Sequence, residues 1–352
     1  METVIAVDAM GSDRAPKPEI EGALLAARHY PGVRVLLVGP EEQLRRELAA
    51  NPIASRTPVE IVNATQVIGM HEKPVQAVRA KKDSSIHVGL RLVKEKKAVG
   101  FVTAGNTGAA MTAGKMVLGT LPGVVRPALA NVFPTSAGKH KPSILIDVGA
   151  NVDSKPQNLA QFAIMGEIYF RAIFGVPRPT VGLLSVGEEE TKGNDVTRKA
   201  FALFKELPLN FIGNVEGRDL YNGRVDVIAC DGFVGNVALK ISEGLVEAVR
   251  FLLRDSLKST VTSQVGALLA RKAFTDFGRK LDYSEYGGAP LLGLKGVAIV
   301  GHGASNANAI KNAIRVAKQF YESGINERIE QELANVRVAA GAGATATKES
   351  TA

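Results

Sequence analysis

The sequence predicts an α/β protein with a mostly parallel, doubly wound β-sheet and helices on both faces. Short apolar runs, most of them without polar alternation, are separated along the chain by segments of helical periodicity. Such runs are typical of strands that are buried on both faces, and their alternation with helices is typical of βαβ crossovers. In addition, several of the runs end in a short turn that combines Gly with Asn, Asp or Ser.

The individual elements follow from these patterns. Short runs of four to eight residues rich in Val, Ile and Leu predict strands. They are Thr3–Asp8, Val33–Gly39, Val59–Val62, Val99–Thr103, Ser143–Val148, Thr180–Val186, Asn210–Gly213, Val225–Cys230 and Gly296–Val300. Longer segments with apolar residues three and four apart predict helices. They are Glu19–His29, Glu41–Ala50, Ser85–Lys96, Gln157–Phe174, Asp195–Leu207 and Val237–Leu257.

One segment departs from this alternation. From Ser242 to Leu281 the pattern is helical almost throughout, with a break near Ser259–Thr262. Its apolar stripes, interspersed with Lys and Arg, favour a helical hairpin that packs on its own domain or on a second subunit. A basic amphipathic hairpin can also lie on an anionic membrane surface. Both hypotheses hold if the base of the hairpin pairs with a second subunit while its tip touches lipid.

No linker rich in Pro, Gly or Ser and no internal repeat divides the chain. We therefore expect a single α/β/α domain over residues 1–337 that includes the hairpin 242–281. The remaining residues, 338–352, are biased towards Ala, Gly and Thr, and we expect them to be disordered.

Composition and charge exclude several classes of function. The net charge is +8, but the basic residues are scattered and aromatics make up only 5% of the chain, which argues against nucleic acid as a partner. A small anionic substrate or an acidic protein fits better. A single cysteine, Cys230, excludes an internal disulfide and a thiolate-rich metal site, and we expect neither metal nor cofactor. The N-terminus has no signal-peptide pattern, which predicts a cytoplasmic protein.

Five turns of Gly with polar residues follow predicted strands. They are Asp8–Asp13, Thr103–Gly108, Asp147–Asn151, Asp231–Asn236 and Gly301–Asn306. Because the carboxyl ends of parallel strands lie along one edge of a sheet, we expect the turns to line one crevice with backbone N–H groups, amides and helix N-termini. Such a crevice suits an anion, most plausibly phosphate. Cys230 precedes one of these turns, and its strand context predicts a small buried side chain rather than a nucleophile.

The same turns, taken with other motifs, carry a resemblance to a known family. Val7–Asp13, Arg79–Ser85, Thr103–Ala109, Asp147–Asn151, Lys192–Asp195, Cys230–Asn236 and Tyr286–Gly293 resemble the bacterial phosphate acyltransferase PlsX family, in the order in which that family has them. The resemblance extends from the first strand to roughly Arg328.

The resemblance implies transfer of a fatty acyl group from acyl-acyl carrier protein to inorganic phosphate, giving acyl phosphate for phospholipid synthesis. It also implies a three-layer α/β/α sandwich similar to phosphotransacetylases and isopropylmalate dehydrogenases. The family works as a homodimer associated peripherally with the inner face of the cytoplasmic membrane. Two alternatives stay open: a phosphotransacetylase-like enzyme that uses acyl-coenzyme A, and a non-enzymatic membrane scaffold that binds acyl carrier protein. The second needs no buried anion crevice and is disfavoured.

Catalysis of this reaction requires orientation of phosphate and stabilisation of an oxyanion, without a covalent enzyme intermediate. The family match implies Lys192 and Asn236 as the catalytic pair, with Lys192 on phosphate and Asn236 towards the carbonyl oxygen, or the reverse. On the residues alone, Lys192 is a solvated loop charge and Asn236 a helix cap. We also expect that His302 donates a proton to the departing thiolate, although a thiolate leaves readily without one.

Further residues are expected to bind substrate, the carrier protein or the membrane. The residues expected to bind substrate are Asp8, Gly11, Ser12, Asn106, Thr107, Asp147, Asn151, Asp231, Gly235 and Ser305. Those expected to dock the acidic carrier protein are Arg79, Lys81 and Lys82, which otherwise form a solvated helix face. Those expected to contact the membrane are Leu257, Val261 and Val265, beside the break in the hairpin.

Overall fold

The computed structural model describes residues 2–54, 57, 59–137, 141–280 and 283–336. The C-terminal segment 338–352, for which we expected disorder, lies outside the described residues. Within the described residues, eleven strands form one sheet. They are β1 Thr3–Asp8, β2 Val33–Gly39, β3 Val59–Asn63, β4 Gly100–Thr103, β5 Ala128–Phe133, β6 Ser143–Ile146, β7 Thr180–Leu184, β8 Asn210–Val215, β9 Val227–Ala229, β10 Ala289–Leu292 and β11 Val297–Val300.

Helices connect most of these strands. They are α1 Lys17–His29, α2 Glu41–Ala49, α3 Pro74–Ala80, α4 Ser85–Lys94, α5 Thr107–Val117, α6 Pro156–Phe174, α7 Asp195–Lys205, α8 Asp219–Asn222, α9 Gly232–Lys258, α10 Val261–Leu269, α11 Arg271–Lys280 and α12 Ala307–Glu322. Residues 325–336 are helical as well. The six helices expected from periodicity are all present.

The sheet consists of two parallel halves that run in opposite directions. Its strand order is β3-β2-β1-β4-β11-β10-β5-β6-β9-β7-β8. The strands are parallel to their neighbours from β3 to β11 and again from β6 to β8. Between these halves, β10 pairs antiparallel with β11 and β5, and β5 pairs antiparallel with β6. The expectation that all five turns share one edge of a single parallel sheet is therefore wrong.

The register nevertheless brings the carboxyl ends of the two halves together. Val300, the last residue of β11, pairs with Ala289 of β10. Leu291 pairs with Leu129, and Ala130 pairs with Ile146, the last residue of β6. Following this register across the sheet places Ile146 within one residue of the level of Val300. The turns that follow the strands of both halves can therefore meet in the middle of the molecule.

Successive strand residues pack into two separate cores, one on each face of the sheet. Ile5 and Val7 belong to one core and Ala6 to the other, as the two-residue repeat of a strand requires. The first core also contains apolar residues of α1, α6 and α12, and the second contains those of α3, α4 and α5. Helices thus cover both faces, and the predicted three-layer α/β/α sandwich is confirmed.

The hairpin extends from the sandwich as α9, α10 and α11. The break expected near Ser259–Thr262 lies between the end of α9 at Lys258 and the start of α10 at Val261, and the Thr260 hydroxyl caps α10 by accepting a hydrogen bond from the Ser263 N–H at 3.1 Å. Val261 and Val265 are exposed, by 77% and 53%, whereas Leu257 is half-buried. Within the described ranges, no helix combines the length and the apolar character needed to cross a bilayer.

Candidate active site

A cavity of about 430 Å³ lies where the carboxyl ends of the two halves meet. Residues from all five polar turns line it, including Asp13, Thr107, Gly149, Asn236 and Ser305. Its walls also contain apolar side chains, among them Leu129, Val132, Val148 and Val300. The structure therefore brings together the turns that the sequence singles out, although they follow strands of opposite direction.

Three helices begin beside this cavity. They are α5, α9 and α12, and a side-chain oxygen caps the first turn of each. The caps are Asn106 on the Ala109 N–H at 3.0 Å, Asp231 on the Phe233 N–H at 2.9 Å and Asn306 on the Ala309 N–H at 2.9 Å. Because the N-terminus of a helix carries partial positive charge and unpaired N–H groups, the convergence of three favours an anion in the cavity.

The first two turns are held together by a buried carboxylate. The Thr103 hydroxyl donates to Asp8 Oδ2 at 2.7 Å, and the Met10 N–H donates to Asp8 Oδ1 at 3.1 Å. Burial raises the pKa of Asp8, against the effect of these hydrogen bonds. Beside it, a Cβ on Gly11 would lie 2.8 Å from the backbone nitrogen of Gly105, so this position requires glycine.

Behind the first turn lies Glu19, a buried acid that the sequence analysis missed. The Ser12 N–H donates to Glu19 Oε1 at 2.8 Å, and both residues are buried. Burial raises the pKa of Glu19 to about 7. A glutamate in the first turn of an amphipathic helix gives no sequence signal of burial, because acidic residues are common there on exposed faces.

Asp147 organises the turn after β6. Its Oδ1 accepts hydrogen bonds from the N–H groups of Leu129 and Ala150 at 2.9 and 3.0 Å. Its Oδ2 accepts from the N–H and the Nδ2 of Asn151, at 2.7 and 2.9 Å. A Cβ on Gly235 would lie 1.9 Å from the Asp147 carbonyl oxygen, so the first turn of α9 packs directly against the turn after β6. The hydrogen bonds of Asp147 and Asn151 therefore hold this turn against β5 and the residue before it, Pro127.

Asn106 has a similar structural role in the second turn. Besides capping α5, its Nδ2 donates to the carbonyl oxygens of Met70 and Glu72, both at 3.1 Å. Asp231 likewise accepts a hydrogen bond from the Ser154 N–H at 2.8 Å. The side chains of both residues thus fix loops at the cavity, while Thr107 lines the cavity itself.

The catalytic pair implied by the family resemblance is not assembled in the structure. Asn236 lines the cavity, and a Cβ on Gly149 would lie only 3.3 Å from its Cγ. Lys192 is exposed on the loop after β7, with its N–H donating to the Glu189 carbonyl oxygen at 3.0 Å, and it does not line the cavity. Because β9 lies between β6 and β7 in the sheet, the loop after β7 lies to one side of the cavity.

His302 and Ser305 both line the cavity from the turn after β11. The Ser305 hydroxyl donates to the His302 carbonyl oxygen at 2.6 Å, and the Ala304 N–H donates to His302 Nδ1 at 3.1 Å. In a neutral imidazole with Nδ1 as acceptor, the proton is on Nε2. His302 is therefore oriented to donate a hydrogen bond from Nε2.

Lys240, on α9, is a cavity residue that the sequence analysis did not select. It is the single Lys or Arg among the described residues that line the cavity. Its periodic position in a long helix resembles that of any solvated lysine, so no local signal marks it.

The prediction that Cys230 is buried is confirmed. Its Sγ donates to the Asp147 carbonyl oxygen at 3.2 Å, and burial raises the pKa of the thiol well above its usual value. Since the thiolate is the nucleophilic form, this cysteine is protonated and unreactive at neutral pH.

The residues expected to dock a carrier protein lie on and after α3. Arg79 and Lys82 are exposed. Lys81 is half-buried. Its Nζ donates to Glu72 Oε1 at 2.6 Å and to the Val67 carbonyl oxygen at 2.7 Å. The segment that Lys81 holds is the one that Asn106 anchors, and its Met70 lines the cavity.

Comparisons with known proteins agree with this architecture. The solved phosphotransacetylase from Streptococcus pyogenes is similar in fold over 91% of this chain and 94% of its own, with a TM-score of 0.61 and 17% identity. The EutD phosphotransacetylase from Staphylococcus aureus is similar over the same shares, with a TM-score of 0.57 and 15% identity. At these identities the likeness concerns the fold.

Sequence relatives are much closer. The family described as "Fatty acid synthesis protein" matches residues 3–328. The phosphate acyltransferase of Acidobacterium capsulatum is 63% identical over 334 residues, which are 95% of this chain and 98% of that protein. The phosphate acyltransferase of Koribacter versatilis is 64% identical over 339 residues, 95% of this chain and 94% of that protein. With a match of this extent, the chain belongs to the phosphate acyltransferase (PlsX) family and is an acyltransferase enzyme of fatty acid synthesis.

Proposed function

We propose that this enzyme transfers a fatty acyl group from acyl-acyl carrier protein to inorganic phosphate, and that the acyl phosphate formed serves phospholipid synthesis. The observation that carries the proposal is the cavity itself, where three capped helix N-termini meet beside Asn236 and His302. This arrangement suits a phosphate that must be stripped of water and a carbonyl that must develop negative charge.

In the proposed reaction, a phosphate oxygen attacks the thioester carbonyl carbon directly. The C–O bond forms, the C–S bond breaks, and the carrier leaves as a thiolate that takes up a proton. The amide Nδ2 of Asn236 donates to the carbonyl oxygen as it becomes an oxyanion, and Nε2–H of His302 donates a hydrogen bond to the departing sulfur. The thiolate then takes its proton from water, because a neutral imidazole keeps its own. No acyl-enzyme is needed, which agrees with the buried, protonated state of Cys230.

Lys192 remains the second proposed catalytic residue beside Asn236. It lies outside the cavity, on a loop whose residues 188–192 are mostly exposed, so movement of this loop over a bound substrate disrupts few buried contacts. We propose that loop closure brings its ammonium group to the phosphate or to the carbonyl oxygen. Thr107 and Ser305 would orient the bound phosphate or the carrier's pantetheine arm, while Asp8, Gly11, Ser12, Asn106, Asp147, Asn151, Asp231 and Gly235 would position the turns.

We also propose that the acidic carrier docks on the surface of Arg79 and Lys82. Its position supports this, because Lys81 ties α3 to the segment that carries Met70 into the cavity wall. A carrier bound at this surface could deliver its thioester into the cavity over a short path.

The hairpin supports two further parts of the proposal, homodimer formation and peripheral contact with the inner face of the membrane. A row of exposed apolar side chains follows one face of α9 at spacings of three and four residues. The row consists of Phe233, Val237, Ile241, Leu245, Val249 and Leu252. Such a row suits a second copy of the same helix, whereas Val261 and Val265, past the end of α9, suit a lipid surface.

The decisive experiment measures release of free carrier thiol from a purified acyl-acyl carrier protein with and without inorganic phosphate, with the product identified as acyl phosphate. We expect release to require phosphate and to continue in Cys230→Ser and in the presence of chelator. The same acyl chain on coenzyme A serves as the competing substrate. Preference for acyl-coenzyme A would favour the phosphotransacetylase-like alternative, and a stoichiometric acyl adduct on the protein would refute direct attack.

A further inference from the structure

A cluster of three ionisable side chains spans the cavity between the two halves of the sheet. Lys240 and Glu243 lie one turn apart on α9, and Lys240 Nζ donates to Glu243 Oε2 at 2.7 Å. His302 approaches from the turn after β11, with Nε2 at 3.4 Å from Lys240 Nζ and 3.8 Å from Glu243 Oε2. All three side chains line the cavity.

Within this cluster, two donors face one acceptor. The ammonium group of Lys240 has only donors, and Nε2 of His302 carries its proton because Nδ1 accepts from the Ala304 N–H. Two donors so close together attract an oxygen that carries negative charge. In the structure, the Glu243 carboxylate is the anionic oxygen near both.

The cavity offers phosphate few other charges. Among the described residues that line it, the acidic side chains are Asp13 and Glu243, and Lys240 is the single lysine or arginine. A phosphate dianion that enters a cavity with apolar walls loses hydration, and a cation at hydrogen-bonding distance offsets that loss most directly. The helix N-termini add partial charges, whereas Lys240, which lines the cavity with a side chain that is 55% exposed, supplies a full positive charge.

We propose that Lys240 is the residue that binds the inorganic phosphate co-substrate. Until phosphate enters, the Glu243 carboxylate accepts the hydrogen bond from Lys240 Nζ that a phosphate oxygen later accepts. This inference rests on the proposed function and assigns its nucleophile to a specific position. Phosphate replaces the carboxylate at the ammonium group and accepts a second hydrogen bond from Nε2–H of His302. Glu243 then competes with the substrate, and Lys192 acts after loop closure rather than in the first capture of phosphate.

The proposal gives Lys240 and Glu243 opposite effects on the KM for phosphate. Lys240→Met removes a charge-assisted hydrogen bond and should raise this KM by about 10- to 100-fold, with partial recovery in Lys240→Arg. Glu243→Gln removes the competing charge and should lower the KM by about two- to fivefold, the range of a partly exposed ion pair. In the double variant, Glu243→Gln should have no further effect, because the group it competes for is gone.

Controls separate this cluster from general effects of charge and folding. Lys295→Met removes an exposed lysine from the β10–β11 turn and should leave the KM for phosphate unchanged. Binding of inorganic phosphate alone, measured by calorimetry on the folded variants without acyl substrate, should follow the same order as KM. Circular dichroism and size-exclusion profiles should match those of the wild type.

Each failure has a separate meaning. If the wild type releases no carrier thiol in response to phosphate, the proposed function fails. If the wild type does respond to phosphate, but Lys240→Met keeps the wild-type KM and affinity for phosphate, only the assignment of phosphate binding to Lys240 is overturned. A raised KM for acyl-acyl carrier protein with an unchanged KM for phosphate would also overturn it, because Lys240 would then bind the phosphodiester of the carrier's arm. A rise in KM for phosphate in Glu243→Gln would refute the competition.

Discussion

Gly149 and Asn236 pack against each other at the point where the turn after β6 meets the start of α9. Gly149 has a φ of +129°, which residues with a side chain rarely adopt. A Cβ at this position would lie 3.3 Å from Cγ of Asn236. The glycine therefore permits both the shape of its own turn and the position of the Asn236 amide in the cavity.

This contact predicts that Gly149→Ala lowers the rate by displacing the Asn236 amide. A small displacement of a catalytic group costs up to about 100-fold, and we expect a loss of about 10- to 100-fold in kcat. Gly175→Ala is the matched control, since Gly175 also has a positive φ, +70°, but nothing lies within 4 Å of its Cβ position. It should lower the melting temperature without lowering kcat. Equal kcat losses in the two variants would refute the role of the contact.

The second prediction concerns Asn236 and Lys192 themselves. Removal of one preorganised oxyanion donor costs on the order of 10²–10³ in kcat, and we expect Asn236→Ala to lose this much while it stays folded. Lys192→Ala should lose a similar factor in kcat. This loss is expected only if the exposed loop closes over the substrate. Steady-state kinetics with saturating phosphate measures both. Near-normal kcat in either folded variant would remove that residue from the mechanism.

Most of the sheet could be predicted from the sequence, but the reversal in its centre could not. β5 and β10 were missed, and these are the strands that turn one parallel half against the other. β10 is a four-residue strand that contains Pro290, and β5 contains Asn131, so both have low strand propensity and are stabilised by their neighbours.

The same distinction applies to the site. The turns could be predicted because Gly and Asx residues after strands mark the chain locally. Lys240 and Glu19 could not, since whether a polar residue on a helix faces water, a cavity or the core depends on how that helix packs. Lys240 reaches the cavity only because α9 starts beside the end of one half and passes His302 of the other.

The third prediction concerns the carrier surface. Arg79→Glu combined with Lys82→Glu should reduce kcat/KM for acyl-acyl carrier protein by about 3- to 10-fold at low salt, with little change for a small acyl thioester. The wild-type kcat/KM should itself fall as salt screens the interaction. Arg178→Glu with Lys295→Glu makes the same change in net charge at exposed positions elsewhere. If this control pair causes the same loss, net charge rather than docking explains the result.

The fourth prediction concerns the hairpin tip. Val261→Gln with Val265→Gln removes two exposed apolar side chains and should weaken binding to anionic vesicles by about 10-fold or more, since burial of a valine contributes about 1.5 kcal/mol or more. Dimerisation and turnover without vesicles should stay unchanged. Val125→Gln, at a 57% exposed valine outside the hairpin, should leave vesicle binding intact. Leu257 is half-buried, so its substitution is better tested separately. Dissociation of the dimer with unchanged vesicle binding would identify the tip as a subunit contact.

The fifth prediction follows from the buried acid beside the first turn. The pKa of Glu19 is raised by burial to about 7, from 4.5 in the unfolded chain. Between these values the unfolded state loses its proton while the folded state keeps it, so the free energy of unfolding should fall as pH rises from about 4.5 to about 7 and stay level above that. The contribution is on the order of 3 kcal/mol. Glu19→Gln keeps a carbonyl oxygen for the Ser12 N–H but cannot ionise. In urea titrations from pH 5 to 8, the variant should gain stability relative to the wild type as pH rises, whereas parallel pH profiles would show that Glu19 does not titrate in this range.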